Sequence, residues 1–472
     1  MNDQQRHERD LAEQLARIAD PSSPQAVAAA VAFLLTFYVG LALAYRDAIP
    51  LFEAPDEPSH LHYATFVFAN GRLPRQSPLE VPGEGMQAPL VYVVAAPLLG
   101  RTGLDVAWAA RELGRAAFPF YSDPKVAGGG PAIRSYEHGY REFATDGSLE
   151  PLRVLRTTSL AFGLLTVILT FAAVWRLSRD ARFALLTSSL VAFDPQFLFS
   201  SGYFGNDPAA AAVGAAALWI IARALEEPDG PGRRHYLAGG ALIAVGALTK
   251  TSTLAGLAAA AVTLVAIDQR PRRTVSIDAA IAAAIALLLA GPYVVWASEH
   301  RGGFLGVNAV VASAVGMVRA EHFGGQLAFL LGIYWDWTLE SFWARFGWFN
   351  VAVPKATYLA FFALTWTGVL GLIAGRYPLP ADALRTRALR AYLLAAFGLT
   401  FAGHFAMNLA IVNPQGRLLF PAIAQIAFLL AIGIAQLIGS ERRILPITVC
   451  VVVALVGLDV YCLRGVLLSA YR

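Results

Sequence analysis

Apolar residues in this chain come in long, nearly continuous blocks rather than at every second position or at helical spacing. Ala26 to Tyr45, Val154 to Trp175 and Ala279 to Trp296 are examples. Each is long enough to cross about 30 Å of hydrocarbon as a helix. Only helices and closed barrels satisfy every backbone polar group in lipid. Barrel strands would alternate apolar and polar residues, which these blocks do not do. The pattern predicts an all-α polytopic membrane protein with about eleven spans, near 26–45, 152–175, 183–204, 208–225, 236–249, 252–268, 277–297, 356–375, 388–411, 417–439 and 444–463.

Two stretches are too long to be simple connectors: about 46–151 and 298–355. Loops of that length are usually functional or disordered, and these are neither Ser/Gly-rich nor highly charged. They carry short apolar pieces at Leu61 to Ala69, Ala88 to Leu99 and Gln326 to Phe349, which suit helices lying at the interface. The predicted organisation is therefore a cytoplasmic segment, 1–25, and a membrane domain, 26–472, capped by two long extracytoplasmic loops. Residues Gln4 to Ala19 read as a short surface helix, followed by a first span with no cleavage site after it.

Charge sets the orientation. Alternate connections hold Arg176, Arg179, Arg182, Arg223, Arg233, Arg234, Arg270, Arg272, Arg273, Arg376, Arg385, Arg387, Arg390, Arg442 and Arg443, whereas the short connections opposite hold only Lys250 and Arg417. By the positive-inside rule the N-terminus is cytoplasmic. Composition agrees with the membrane class: of 472 residues 57% are hydrophobic and 15% charged. The net charge is +4, all but three of the 37 basic residues are arginine, and they form no nucleic-acid patch. Cys450 and Cys462 share the last apolar block, roughly 18 Å apart along a helix, so they form neither a disulfide nor a metal motif.

Candidate chemistry lies in the outer connections. Glu53 to His60, EAPDEPSH, sets Asp56 and Glu57 beside the headgroup layer, with Asp56 also suited to cap a helix over Glu57 to Ala69 closed by Asn70-Gly71. QAPLVY follows, with Gln87 and Tyr92. At the end of the third span SSGYFGND offers Asn206 and Asp207, which would equally cap the next helix. Lys250 stands between the fifth and sixth spans, where it could snorkel or meet a lipid phosphate. Arg345 sits among four tryptophans of an aromatic belt, and its guanidinium suits phosphate oxygens. Gln415 and Arg417 lie in NPQGR, where an outer arginine runs against the charge asymmetry and points to an anionic ligand. Outer-loop histidines 60, 62, 138, 300 and 322 leave a divalent metal open, but no ligand spacing supports one, and no cofactor is expected. Walker, dinucleotide-binding, GxSxG and HExxH motifs are absent.

Taken in order, APDEPSH, QAPLVY, DPQFLFSSGYFGND, GALTK, SFWARFGWFN and NPQGRLLFP resemble a family of bacterial predicted membrane proteins related to the GT-C superfamily. That superfamily comprises multi-helix glycosyltransferases using polyprenyl-phosphate sugars, among them protein O-mannosyltransferases and aminoarabinose transferases. The resemblance runs from about residue 50 to 435. Two positions depart from the expected pattern: QAP where two prolines are expected, and Leu418 where an aromatic is common. It implies a GT-C-like fold in the bacterial cytoplasmic membrane with an extracytoplasmic active site. A polyprenyl-phosphate sugar donor, a glycan or other envelope acceptor and membrane lipids are the implied partners. Asp56 and Glu57 are then the catalytic pair, with Asp56 the base of an inverting transfer and Glu57 or His60 orienting it. Lys250, Arg345 and Arg417 are the cations available to the donor phosphate.

A transporter or flippase of lipid-linked glycans is the rival reading, and a noncatalytic scaffold for envelope assembly a third. Transport predicts frequent intramembrane charge. Mid-helix acids are nearly confined to Asp194 and Asp459, which favours an enzyme at the membrane surface.

Overall fold

The structure, a computed structural model, describes residues 20–50, 53–75, 80–81, 84–102, 150–228, 230–301, 320–375, 383–439 and 443–471. The surface helix expected before residue 20 and much of both long loops, including His138, lie outside the described residues. Among those described, the fold is almost entirely helical. Its one sheet pairs β1 (Arg345–Phe346) with β2 (Val351–Ala352), antiparallel, Arg345 opposite Ala352.

Each predicted span corresponds to a helix. They are α1 (Pro24–Ala48), α4 (Glu150–Ser178), α5 with α6 (Ala181–Ala192 and Pro195–Gly202), α7 (Asp207–Glu226), α8 (Arg233–Thr249), α9 (Thr253–Ile267), α10 (Arg272–His300), α13 (Lys355–Ala374), α14 (Ala383–Ala410), α15 (Ile423–Ile438) and α16 (Ile444–Tyr461). A 3-10 segment, Gly416–Ala422, leads into α15. Among the described residues eight spans are long and apolar enough to cross a membrane, and nine if α5 and α6 form one bent span. The count of eleven is not reached because α8 and α9 have only 17 and 15 residues. At 1.5 Å per residue they reach roughly 25 and 22 Å, short of a full hydrocarbon core.

Local signals account for the breaks. Ser23 caps α1, its hydroxyl accepting the Ala26 N–H at 3.1 Å ahead of Pro24. The third span bends by 59° where Asp194 accepts the Phe197 N–H at 2.8 Å and Pro195 opens α6. Where α13 crosses α15, Gly371 faces the Gly433 backbone so closely that a Cβ would overlap the carbonyl. Small residues at such crossings let helices pack without bulky knobs.

Three expected interfacial pieces are helical: α2 (Glu57–Asn70), α3 (Leu90–Leu99) and the pair α11 (Gln326–Leu331) and α12 (Ile333–Trp343). Gly71 closes α2 in the left-handed region, φ 61°. Helices α2 and α3 share a core of Leu61, Tyr63, Val91 and Tyr92 with Leu155 of α4 and Phe204. This packing seats the first long loop on the end of the bundle. Arg301, 1% exposed at the end of α10, ties the loop down by donating to the carbonyls of Pro74 and Gln87 and to the Tyr63 hydroxyl.

Candidate active site

Four connections distant in sequence meet at one end of the bundle: the segment between α1 and α2, the α6–α7 turn, the α8–α9 turn and the start of the 3-10 segment. Arg417 is the hub. Its Nη1 donates to Asp207 Oδ2 at 2.7 Å and to the Tyr203 hydroxyl at 3.0 Å. Its Nη2 donates to Asp56 Oδ2 at 2.6 Å, and its Nε to Gln415 Oε1 at 2.6 Å. Lys250 ion-pairs with the other Asp207 oxygen and donates to Asn206 Oδ1 at 3.2 Å. The Asn206 amide then donates to Gln87 Oε1 at 3.2 Å. A continuous polar chain therefore runs from Asp56 through Arg417, Asp207, Lys250 and Asn206 to Gln87.

Backbone conformation explains why these side chains are available. Asp56 occupies the N-cap position of α2, yet its φ is 63° and its carboxylate makes no cap bond; it turns to Arg417 instead. Aspartate tolerates this left-handed region better than most residues. Asn206 precedes α7 likewise without a side-chain cap. Both positions fit the predicted caps, and both side chains have left that role for the cluster. The loop bearing Arg417 is held from behind: Ser341 accepts the Gly416 N–H at 2.7 Å, and Asn408 accepts the Asn413 N–H at 2.8 Å. Gly416 is pressed against α12, where any Cβ would meet the Thr338 carbonyl and the Phe342 backbone.

Burial grades across the cluster. The Asp207 and Arg417 side chains are 3% and 7% exposed, Lys250 13% and Asp56 18%. Asp56 is thus the most accessible of the four.

Glu57 and His60 belong to the wall. The Glu57 carboxylate, 0% exposed, takes Arg156 Nε at 2.8 Å, Arg156 Nη2 at 2.7 Å and the Phe204 N–H at 3.0 Å. Arg156 also donates to the carbonyls of Arg46, Ile49 and Pro50, closing the end of α1. His60 Nδ1 lies 2.7 Å from the Tyr92 hydroxyl, and Tyr92 stacks on Tyr63 with ring centroids 3.9 Å apart. Burial pushes the His60 imidazole down to about 4, with Asp56 and Asp207 opposing that shift. His60 is therefore neutral at ordinary pH.

Arg345 stands apart from this chain of contacts. It pairs with Glu340, donates from Nε to the Phe349 carbonyl at 3.0 Å and stacks on Trp337 and Phe349. Its backbone N–H donates to Gln196 Oε1 at 2.9 Å, which fixes β1 against α6.

Sequence reasoning missed Arg156, Tyr203 and Glu84. Arg156 resembles a helix-flanking arginine, and only its partner Glu57, far away in the chain, reveals its role. Glu84 opens a 3-10 turn, Glu84–Met86, and is half-buried where it feels Asp56, Lys250, Arg417 and the Gln87 side chain. Burial, and after it the Asp56 carboxylate, push its carboxyl up to about 7. Among the described residues no three His, Cys, Asp or Glu side chains are arranged to hold a metal ion.

The family model described as dolichyl-phosphate-mannose-protein mannosyltransferase matches residues 150–296. That segment begins at α4 and carries Arg156, Asn206, Asp207 and Lys250. No curated protein sequence matches the chain. Among solved structures, ArnT from Cupriavidus metallidurans bound to undecaprenyl phosphate aligns at 16% identity over 93% of this chain and 73% of its own, with a TM-score of 0.48. The archaeal oligosaccharyltransferase AglB from Archaeoglobus fulgidus, in complex with an inhibitory peptide and a dolichol-phosphate, aligns at 14% identity over 93% of this chain and 56% of its own, TM-score 0.43. The 150–296 match falls within the stretch, about 50 to 435, over which the ordered motifs resemble the GT-C superfamily.

Proposed function

We propose that the chain is a membrane glycosyltransferase that moves a sugar from a polyprenyl-phosphate donor to a cell-envelope acceptor at the extracytoplasmic face. The observation that carries this reading is the convergence of Asp56, the accessible carboxylate, with Lys250 and Arg417. Among the described residues both cations retain donors. Of the three N–H groups of Lys250, Asn206 and Asp207 use two. Of the five on Arg417, Gln415, Tyr203, Asp207 and Asp56 use four. One remaining N–H on each can receive an oxygen of the donor phosphate, and charge-assisted bonds of that kind are the strong ones.

In the transfer Asp56 takes the proton of an acceptor hydroxyl as its oxygen attacks the anomeric carbon. The bond from that carbon to the phosphate oxygen breaks, and its electron pair stays on the phosphate. Lys250 and Arg417 stabilise the charge that develops there. Attack opposite the departing phosphate inverts the anomeric centre. Glu57, saturated by Arg156, fixes the start of α2 and so aims Asp56, while His60 and Tyr92 form the wall behind it. A lipid phosphate leaving group needs no nucleotide site, in keeping with the missing nucleotide motifs. The outer face follows from the arginine asymmetry, which puts this end of the bundle opposite the arginine-rich connections.

The test uses protein in lipid nanodiscs, a panel of polyprenyl-phosphate sugars and envelope acceptors, and follows release of polyprenyl phosphate. Wild type should release it, and Asp56→Asn should be slower by about 10²–10⁴, the usual worth of a general base. Asparagine also accepts the left-handed backbone, so the variant should fold. No release from any donor, with lipid-glycan binding intact, would move the reading to a transporter or a scaffold.

A further inference from the structure

We propose that the protein holds an anionic phospholipid at the arginine-rich end of the bundle, with one acyl chain lodged between α8, α9 and α10 and the phosphate on Arg233 and Arg272. The site is separate from the candidate active site and does not depend on the transfer reading.

The sequence of these helices leaves room for a chain. Helices α9 and α10 each pack on α8, with α7 behind, and all four line one cavity. Where α10 passes α8, Gly240 lies so close to the Ala282 backbone that a Cβ would overlap it. Around that crossing the residues are small, Gly239, Ala260, Ala261, Ala279 and Ala283 among them, and about 170 Å³ stays unfilled. Tyr236 supplies the polar atom of the lining, and its hydroxyl is already committed to Asp268 at 2.9 Å. Water entering there would find too few partners, whereas a hydrocarbon segment needs none. Ala283 is exposed and Gly239, Ala261 and Val265 are partly exposed, so the cavity opens outward to where lipid lies.

Charge gathers at the rim. The Arg270 guanidinium lies over the Tyr236 ring, 5.7 Å from its centroid, and ion-pairs with Asp268 and Asp278. Arg233 stands three and seven residues before Tyr236 and Gly240, and Arg272 seven and eleven before Ala279 and Ala283. Those spacings are close to whole turns, so both arginines extend the cavity-facing stripes toward the end of the bundle. Arg233 donates from Nε to Asp278 at 2.8 Å, which fixes its place beside α10. Among the described residues its four other N–H groups have no partner, and its side chain is 61% exposed. Arg272 is exposed and likewise has no ion pair or hydrogen bond among the described residues.

The balance of charge favours an anion. Arg233, Arg234, Arg270, Arg272 and Arg273 face Glu227, Asp268 and Asp278, so two positive charges are in excess among the described residues. Guanidinium pairs with phosphate through two parallel bonds, and basic pockets between membrane helices are suited to anionic headgroups. A polyprenyl donor fits less well. Its phosphate belongs with Lys250 and Arg417, roughly 16 Å along α8 from Gly239, and its tail would bring no charge to this rim. A lipid with head and chain at the same end uses both the arginines and the cavity.

Native mass spectrometry of the full chain in micelles doped with defined lipids tests this. Phosphatidylglycerol should bind as one saturable molecule, about tenfold or more tighter than phosphatidylcholine with the same acyl chains. Arg233→Gln with Arg272→Gln should remove that preference. Gly239→Leu should weaken both lipids by filling the cavity. A Cβ at that position meets Leu264 Cδ1 at 3.5 Å, an ordinary contact, and leucine suits a helix better than glycine, so the variant should fold. Arg179→Ala removes an exposed arginine of the same end outside the cavity lining and should bind as wild type does. Equal affinity for the two lipids, or binding untouched by Gly239→Leu, overturns the proposal. Arg179→Ala weakening binding as much as the paired variant also overturns it, leaving only diffuse surface charge. Displacement of phosphatidylglycerol by an equal concentration of polyprenyl phosphate would give the cavity to the donor tail, and the proposal fails in that case too.

Discussion

At the end of the bundle opposite the candidate active site, Arg176, Arg179 and Arg223 gather on Glu226, Arg234 meets Glu227, and Arg233 and Arg270 share Asp278. The side chains of Arg179, Arg233 and Arg234 are 58%, 61% and 64% exposed. At the active-site end the same chemistry, guanidinium on carboxylate, occurs with Arg156 and Arg417 only 6% and 7% exposed. Exposed pairs exchange one polar environment for another and contribute little singly. Buried pairs are interlocked, since removing one partner strands the other where water cannot replace it. The first end therefore has many replaceable charges, suited to fixing orientation. The second has few, each with a defined partner, suited to holding a site in shape.

The sharpest way to break this contrast is at Arg156. Arg156→Ala leaves Glu57 buried without its guanidinium and removes donors from the carbonyls of Arg46, Ile49 and Pro50. Losing one partner of a buried pair costs on the order of 3–5 kcal/mol. Thermal unfolding in nanodiscs should show that loss, and an effect under 1 kcal/mol would erase the distinction between the two ends. The double variant Arg156→Met with Glu57→Gln should recover part of it, because no uncompensated charge then remains.

Next in size is the pH dependence of stability at the active-site end. His60 is held down to about 4 in the folded protein and returns to about 6.5 when unfolded. Between those values the unfolded chain binds the extra proton. The contribution of His60 is thus present above about 6.5 and lost as pH falls toward 4, on the order of 3 kcal/mol in all. Glu84 has the opposite sign. Raised to about 7 from the ordinary range, it stabilises the fold at low pH and loses that contribution as pH rises through 7. The two contributions run opposite ways over nearly the same window and about offset, so unfolding midpoints measured from pH 8 to pH 4 should change little through these groups in wild type and rise toward acid in His60→Gln. An unchanged acid slope in that variant would place the pH-sensitive charge elsewhere.

The two ends also differ in how much of them the sequence discloses. Apolar blocks mark the spans because lipid admits few other solutions, and positional arginines mark the far end because the charge asymmetry is a one-dimensional signal. The short α8 and α9 were legible as apolar but not as falling short of a full crossing, since block edges and helix edges differ by a few residues. At the candidate site, Asp56, Asn206, Asp207, Lys250 and Arg417 stood out as polar residues where lipid-adjacent chain has little use for them. Their arrangement did not, because Arg417 reaches Asp56 across most of the chain. Two of these residues also looked sufficiently explained as helix caps. Only the φ of 63° at Asp56 and the missing cap bonds show that both side chains face the cluster. Arg156 and Glu84 escaped for a related reason: each is an ordinary charged residue until its neighbour from another segment is known.

The smallest effect belongs to the far end. Arg179 has a positive φ of 53° and a side chain that is 58% exposed, stacked on Trp175 and paired with Glu226, which Arg176 also holds at 2.7 Å. Arg179→Ala therefore leaves Glu226 neutralised and removes only a solvated contact, so its cost should stay within about 1 kcal/mol and shrink further in high salt. An arginine is an unfavourable occupant of a left-handed backbone, and so is alanine, so the substitution leaves that strain in place. Arg179→Gly relieves it and should be no less stable than Arg179→Ala. Were either variant to cost as much as Arg156→Ala, the far end would be a structural centre of equal weight, and burial would not be what separates the two ends.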